Sequence, residues 1–218
     1  MIKSIGIFLI AVTVPVLAPA SIIFTNLGPG QTYDVTQGNP VGNDFAGDNA
    51  AQGDTFTPTA NATLSSIEVA LSCVVSCPAA ETFTVALRTD SSDSPGSIIE
   101  SFLFTGKTLG GLGTNNPLVM ATSVLRPTLT AGTQYWITVT SSLNYAIAWN
   151  DNLTNDPSDQ AVSSDGGATW FSPSGMTPSA YEVDGTTSVP EPSTVLLFGG
   201  GALSSLIVLR RKSQGNKR

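Results

Sequence analysis

The sequence contains no histidine. That absence removes the usual general base near neutral pH, the commonest zinc ligand and every Ser-His-Asp or Cys-His catalytic arrangement. It leaves pairs of carboxylates, which suffice for glycoside hydrolysis. Cysteine is scarce as well: Cys73 and Cys77 are the only two, too few for a thiolate metal centre. Charged residues make up 11% of the 218, and positive charge is nearly missing from the body of the chain. Between Ser21 and Val189 there are fifteen acids against Arg88, Lys107 and Arg126, a net charge of −12. Such a body repels phosphate backbones and anionic lipid, so nucleic-acid binding is set aside, and solubility outside the cell is the plain account of the acidity. No segment between the two ends sustains a 3.6-residue apolar period. Yet 41% of residues are hydrophobic and recur in clusters, which excludes a disordered chain.

What is present at the N-terminus is a targeting layout. Lys3 supplies a positive charge, residues 5–17 are apolar apart from Thr13, and Ala18-Pro19-Ala20 places small residues at both positions of an A-x-A site. This reads as a secretory signal peptide over residues 1–20, exported by the Sec machinery and cut by signal peptidase after Ala20. The alternative is a buried N-terminal strand or helix; the run is too short for an ordinary membrane span.

The C-terminus reads Val189-Pro190-Glu191-Pro192-Ser193, then an apolar run over 194–209 interrupted by Gly199-Gly200-Gly201, then Arg210-Arg211-Lys212. As a helix the run spans about 24 Å, short of the roughly 30 Å hydrocarbon core, and its glycines weaken it as a permanent anchor. The basic cluster acts as a stop-transfer signal and stays cytoplasmic. The order of these elements over 188–218 resembles the PEP-CTERM sorting signal of Gram-negative bacteria. That resemblance implies transient insertion in the inner membrane and recognition by an exosortase, a membrane-embedded cysteine protease/transpeptidase. It further implies cleavage near Val189, Pro190, Glu191 and Pro192, then delivery to the cell surface or extracellular matrix, often alongside exopolysaccharide. A single-pass tail anchor is the competing account.

Removing the two ends leaves residues 21–187, enough for one domain with a single core. Short alternating or β-branched runs predict strands at Leu64–Leu71, Thr82–Arg88, Ile98–Thr105, Leu118–Leu125, Tyr135–Ser141 and Tyr145–Trp149. Weaker candidates are Ile22–Phe24, Gln52–Thr57, Thr169–Phe171 and Ala180–Val183. Turns are expected at 93–96, 130–133 and 165–167, where Pro and Gly fix or free φ. About ten such strands indicate an all-β fold, an antiparallel β-sandwich or jelly roll. The runs Val85-Ala86-Leu87-Arg88-Thr89-Asp90, Ser94-Pro95-Gly96-Ser97-Ile98-Ile99 and Leu129-Thr130-Ala131-Gly132-Thr133-Gln134-Tyr135-Trp136 resemble the choice-of-anchor β-domains, nearest the R-type group. Those groups join similar bodies to different C-terminal anchors, and the resemblance implies no established activity.

Cys73 and Cys77 fall between two predicted strands, so in an oxidising compartment a bridge would pin a hairpin tip, stabilising by roughly 2 kcal/mol; a redox or free-thiol role is the alternative. Residues 163–170, Ser-Ser-Asp-Gly-Gly-Ala-Thr-Trp, fit the Asp-box pattern S-x-D-x-G-x-T-W. Propellers need several copies at regular spacing, and here there is one, so a tight turn is expected, with glycan chemistry the alternative: Asp165 bonding nearby N–H groups, the glycines at positive φ, Trp170 packed beneath. Two Asp/Asn groups, Asn43, Asp44, Asp48, Asn49 and Asp54, and Asp151, Asn152, Asn155, Asp156 and Asp159, suit either solvated loops or a Ca²⁺ ion, with Asp151, Asp156 and Asp159 the candidate ligands; no other cofactor is indicated. Trp136, Tyr145, Trp149, Trp170 and Tyr181 could stack on sugars, though strand aromatics more often pack in the core.

These readings favour a non-catalytic surface or matrix protein. The rivals are a carbohydrate-binding module on the same sandwich and, third, a carboxylate-based glycoside hydrolase.

Overall fold

The structure, a computed structural model, describes residues 20–45, 48–74, 81–141 and 147–187. Of the positions singled out above, residues 1–19 of the expected signal peptide with Lys3 and Ala18, Cys77, Tyr145 and the whole of 188–218 lie outside these residues. Thirteen strands and no helix occur among them. In chain order they are β1 (Ser21–Thr25), β2 (Gly38–Phe45), β3 (Asp48–Phe56), β4 (Ala62–Val69), β5 (Leu71–Cys73), β6 (Glu81–Asp90) and β7 (Pro95–Lys107). There follow β8 (Val119–Thr122), β9 (Thr128–Leu129), β10 (Tyr135–Thr140), β11 (Ile147–Asn150), β12 (Gln160–Ser163) and β13 (Tyr181–Thr187).

They form two sheets. The smaller has the order β1-β13-β4-β8, with β9 also pairing β4; the larger runs β5-β11-β2-β3-β10-β6-β7, with β12 pairing β3. Neighbouring strands pair antiparallel throughout. The all-β architecture is consistent with the expected β-sandwich.

The alternation in β6 does what period-two patterning requires. Phe83, Val85 and Leu87 point inward and are fully buried, each contributing about 1.5–3 kcal/mol by leaving water. The β6–β7 register sets Phe83 against Phe104, and their rings stack with centroids 5.0 Å apart. In β4 the sequence Leu64-Ser65-Ser66-Ile67 breaks the alternation, and the ladder with β13 shifts register at Asp184/Gly185. The shift places both serines away from the core and lets Leu64 and Ile67 both enter it. Those residues, with Val69 and Val183, meet Leu87, Ile137, Val139 and Trp149 of the larger sheet in one core.

Several sequence expectations are corrected here. Leu64–Leu71 is not one strand: the chain leaves the smaller sheet at Ala70, and β5 joins the larger one beside β11. Cys73 therefore does not sit at a hairpin tip, because β4 and β6 belong to different sheets. The β6–β7 turn lies at 91–94 rather than 93–96. Ser92 and Asp93 both take positive φ, 54° and 59°, and Ser91 N–H bonds Ser94 O, as in a type I′ turn. Pro95 is already the first residue of an edge strand, where its missing N–H costs nothing. Residues 169–171 are not a strand but the closing arm of the Asp-box turn. The turn at 130–133 forms as expected, with Gly132 at φ 73° in the position a type II turn reserves for positive φ.

Candidate functional site

The Asp-box segment folds back over the outer face of the larger sheet. β12 pairs with β3, and Val162 and Phe171 exchange both backbone bonds to close the loop. Asp165 organises the interior. Its Oδ1 accepts from Ser163 Oγ, Ala168 N and Thr169 N, and its Oδ2 accepts from Thr169 Oγ1. The bonds from Thr169, then that from Ser163, hold this carboxyl down at about 2. Gly166 and Gly167 sit at φ 76° and 91°, where a side chain would be strained. Trp170 and Thr140 both lie against Gly167, and the Arg88 guanidinium lies 5.8 Å from the Trp170 ring centroid.

Beside this hairpin lies a shallow groove of about 160 Å³. Thr82 and Thr84 of β6, Thr140 and Ser141 from β10 and its end, Asn49 of β3 and Leu103 of β7 line it, with Gly166 at one wall. The strand registers set Thr84 between Thr140 and Leu103, so hydroxyls and one aliphatic side chain share the face. Among the described residues neither a carboxylate nor a cation lines it. Asn49 is fixed to the Asp-box by Asn49 N→Ser164 O and Gly166 N→Asn49 O, and Asn49 Oδ1 and Trp170 Nε1 are buried with no hydrogen-bond partner among the described residues.

The Asp/Asn groups are largely structural. Asn150 and Asn152, 0% and 4% exposed, hold the loops around them. Asn150 Nδ2 donates to Asp34 O and Gln37 O, and Asn152 Nδ2 donates to Pro178 O. Asp54 of the first group is fully buried beside the second: it pairs across to Gln160, accepts from Ser179 N through Oδ1, and feels the charge of Asp156. Among the described residues its Oδ2 has no hydrogen-bond partner, and burial pushes this carboxyl up to about 7. Burial, then the neighbouring Asp34, pushes Asp151 up to about 6. Asp156 accepts from Asn26 Nδ2 and Ser158 Oγ, and Asp159 is exposed. Among the described residues no three His, Cys, Asp or Glu side chains are grouped to hold one ion, so Asp151, Asp156 and Asp159 are not brought together.

One acidic pair had no signal in the sequence. Glu68 of β4 and Glu182 of β13 lie directly opposite, 8% and 6% exposed, with Asp184 nearby. Burial first, then those two charges, raises Glu68. Only the register between strands more than a hundred residues apart reveals the pair. Glu100 of β7 is the opposite case. Burial works to raise it, but bonds from Leu125 N, Ser123 Oγ and Val124 N outweigh that and lower it. Of the candidate stacking aromatics, Trp136, Trp149 and Tyr181 are fully buried and Trp170 is half-buried.

Ala20 stands exposed just before β1, and β13 ends at Thr187, where the sequence turns to its Pro-Glu-Pro tail. Residues 188–212 match the PEP-CTERM protein-sorting motif. The PEP-CTERM motif implies a surface protein of a Gram-negative bacterium, targeted by an exosortase. No curated protein matches the chain.

Proposed function

We propose that this is an exported, non-catalytic protein of the cell surface or extracellular matrix, cut by signal peptidase, processed by an exosortase and associated with exopolysaccharide. The observation that carries the reading is the PEP-CTERM motif at 188–212. Support for a choice-of-anchor body comes from the placement of its three sequence runs. They fall on β6, on the turn into β7, and on β9–β10, three of these strands being adjacent in the larger sheet. A bridge between Cys73 and Cys77 belongs to the same proposal, since export carries both into an oxidising compartment. Intact-mass measurement of surface-extracted protein is expected to show residues 195–218 missing, with both cysteines alkylated only after reduction. Full-length protein as the sole stable surface form would sink the sorting reading, and two free thiols would sink the bridge.

The groove favours a second reading, a carbohydrate-binding module. An uncharged, hydroxyl-lined surface on so acidic a body suits a neutral saccharide, which offers hydroxyls and apolar ring faces. Glycan-array binding lost in Thr84→Arg, which fills the groove, is the expected result. Binding unchanged by that substitution would remove the groove from consideration.

A further inference from the structure

The sheet edges are treated differently. At β5, Cys73 N bonds Gly110 O and Leu112 N bonds Cys73 O, so a loop covers that edge. In the smaller sheet the edge strands β1 and β8 are five and four residues long. β7 is thirteen residues long, and among the described residues no strand pairs with its outer side. Natural proteins blunt such an edge with lysine, proline or bulges. In β7 these devices sit toward the two ends, with Pro95 and two register irregularities before Glu100 and one irregularity and Lys107 after Thr105, and between them the register with β6 is regular from Glu100 to Thr105. From Ser97 to Gly106 the sole charge is Glu100, and it is turned inward to the 123–125 loop. Ile98 and Leu103 are 54% and 69% exposed.

We propose that β7 is a self-association edge, through which two copies of this chain pair antiparallel into one continuous sheet. Charge selects both the partner and the direction. An acidic body repels its own kind over most of its surface, and this neutral stretch is where two copies meet without opposed carboxylates. The strand is also polar along its length: exposed Asp93 stands in the turn before it and exposed Lys107 at its end. Antiparallel pairing directs each Lys107 toward the partner's Asp93 end, whereas parallel pairing would set lysine beside lysine. The arrangement is a closed two-fold contact in which main-chain bonds supply affinity.

Sedimentation of the full chain in a mild detergent tests this. The expected result is a dimer at micromolar concentration. S101K/L103K, which adds the missing edge charges, gives a monomer with unchanged far-ultraviolet circular dichroism and melting. Lys107→Glu weakens the dimer at least tenfold, and the charge swap D93K/K107E restores it, which a merely structural effect of either change would not do. A monomeric wild type, or a dimer that survives S101K/L103K, overturns the proposal. A dimer indifferent to Lys107→Glu overturns the antiparallel arrangement.

Discussion

Asn150→Ala is expected to lower stability by about 4 kcal/mol, roughly 10 °C in melting temperature for a domain of this size. The side chain is fully buried and makes three hydrogen bonds: two from Nδ2 to Asp34 O and Gln37 O, and one accepted by Oδ1 from Ser72 Oγ. Ser72 Oγ in turn accepts from Asn116 Nδ2, so the amide links the end of β11 to two loops. Truncation takes the side-chain donor from the half-buried Asp34 carbonyl, leaves the buried Ser72 hydroxyl proton without its acceptor and opens a small void, while Gln37 O keeps its bond from Asp151 N. Asp159→Ala, in the same acidic stretch but exposed, is expected to stay within about 0.5 kcal/mol of wild type. Thermal melting of the two variants checks the contrast. Equal effects would mean that the loop is held by something other than this network.

That contrast shows where sequence reading stops. The Asp-box turn was legible because its side-chain chemistry is local: Ser163, Asp165, Gly167 and Thr169 bond to one another within a few residues. The core face of β6 was legible because alternation is a local pattern too. Asn150 and Asp159 belong to one polar run, and nothing in their spacing says that one is buried and the other exposed. Their fates depend on Ser72 and on the 34–37 loop, far away in the chain. Asp54 shows the same limit. It was grouped with Asn49 by proximity in sequence, but pairing of β3 with β12 sends Asn49 to the Asp-box and Asp54 to the Asp156 loop. The β4/β5 break was hidden because Leu64–Leu71 is apolar enough for one strand, and only pairing with β11 reveals the change of sheet.

Asp54 yields the other large effect, a loss of stability as pH rises. Its carboxyl is fully buried; Ser179 N opposes part of the burial penalty, and Asp156 adds repulsion. The folded value of about 7 stands above the value near 3.9 of an unfolded chain. Between these two the folded protein holds a proton that the unfolded chain has released, so stability falls with rising pH across that window. The contribution is fully present below about pH 4 and gone above about pH 7, and the gap between the folded and unfolded values corresponds to at most about 4 kcal/mol. Asp151 and Glu68, both raised, slope the same way; Asp34, Glu100 and Asp165, all lowered, lose stability on the acid side instead. Maximum stability is therefore expected near pH 4 to 5, below the usual range. Asp54→Asn replaces the neutral acid with an amide of the same shape and removes the largest alkaline slope. In denaturant titrations from pH 4 to 8, wild type is expected to weaken steadily, while the variant weakens much less and is the more stable of the two at pH 8. A bound cation would act differently, because it would hold Asp54 ionised and stabilise the protein at high pH. Millimolar Ca²⁺ that raised the wild-type melting temperature at pH 8 by several degrees, and did nothing to Asp54→Asn, would overturn the buried-acid account; equal melting in Ca²⁺ and EDTA, with the slope lost in the variant, would establish it.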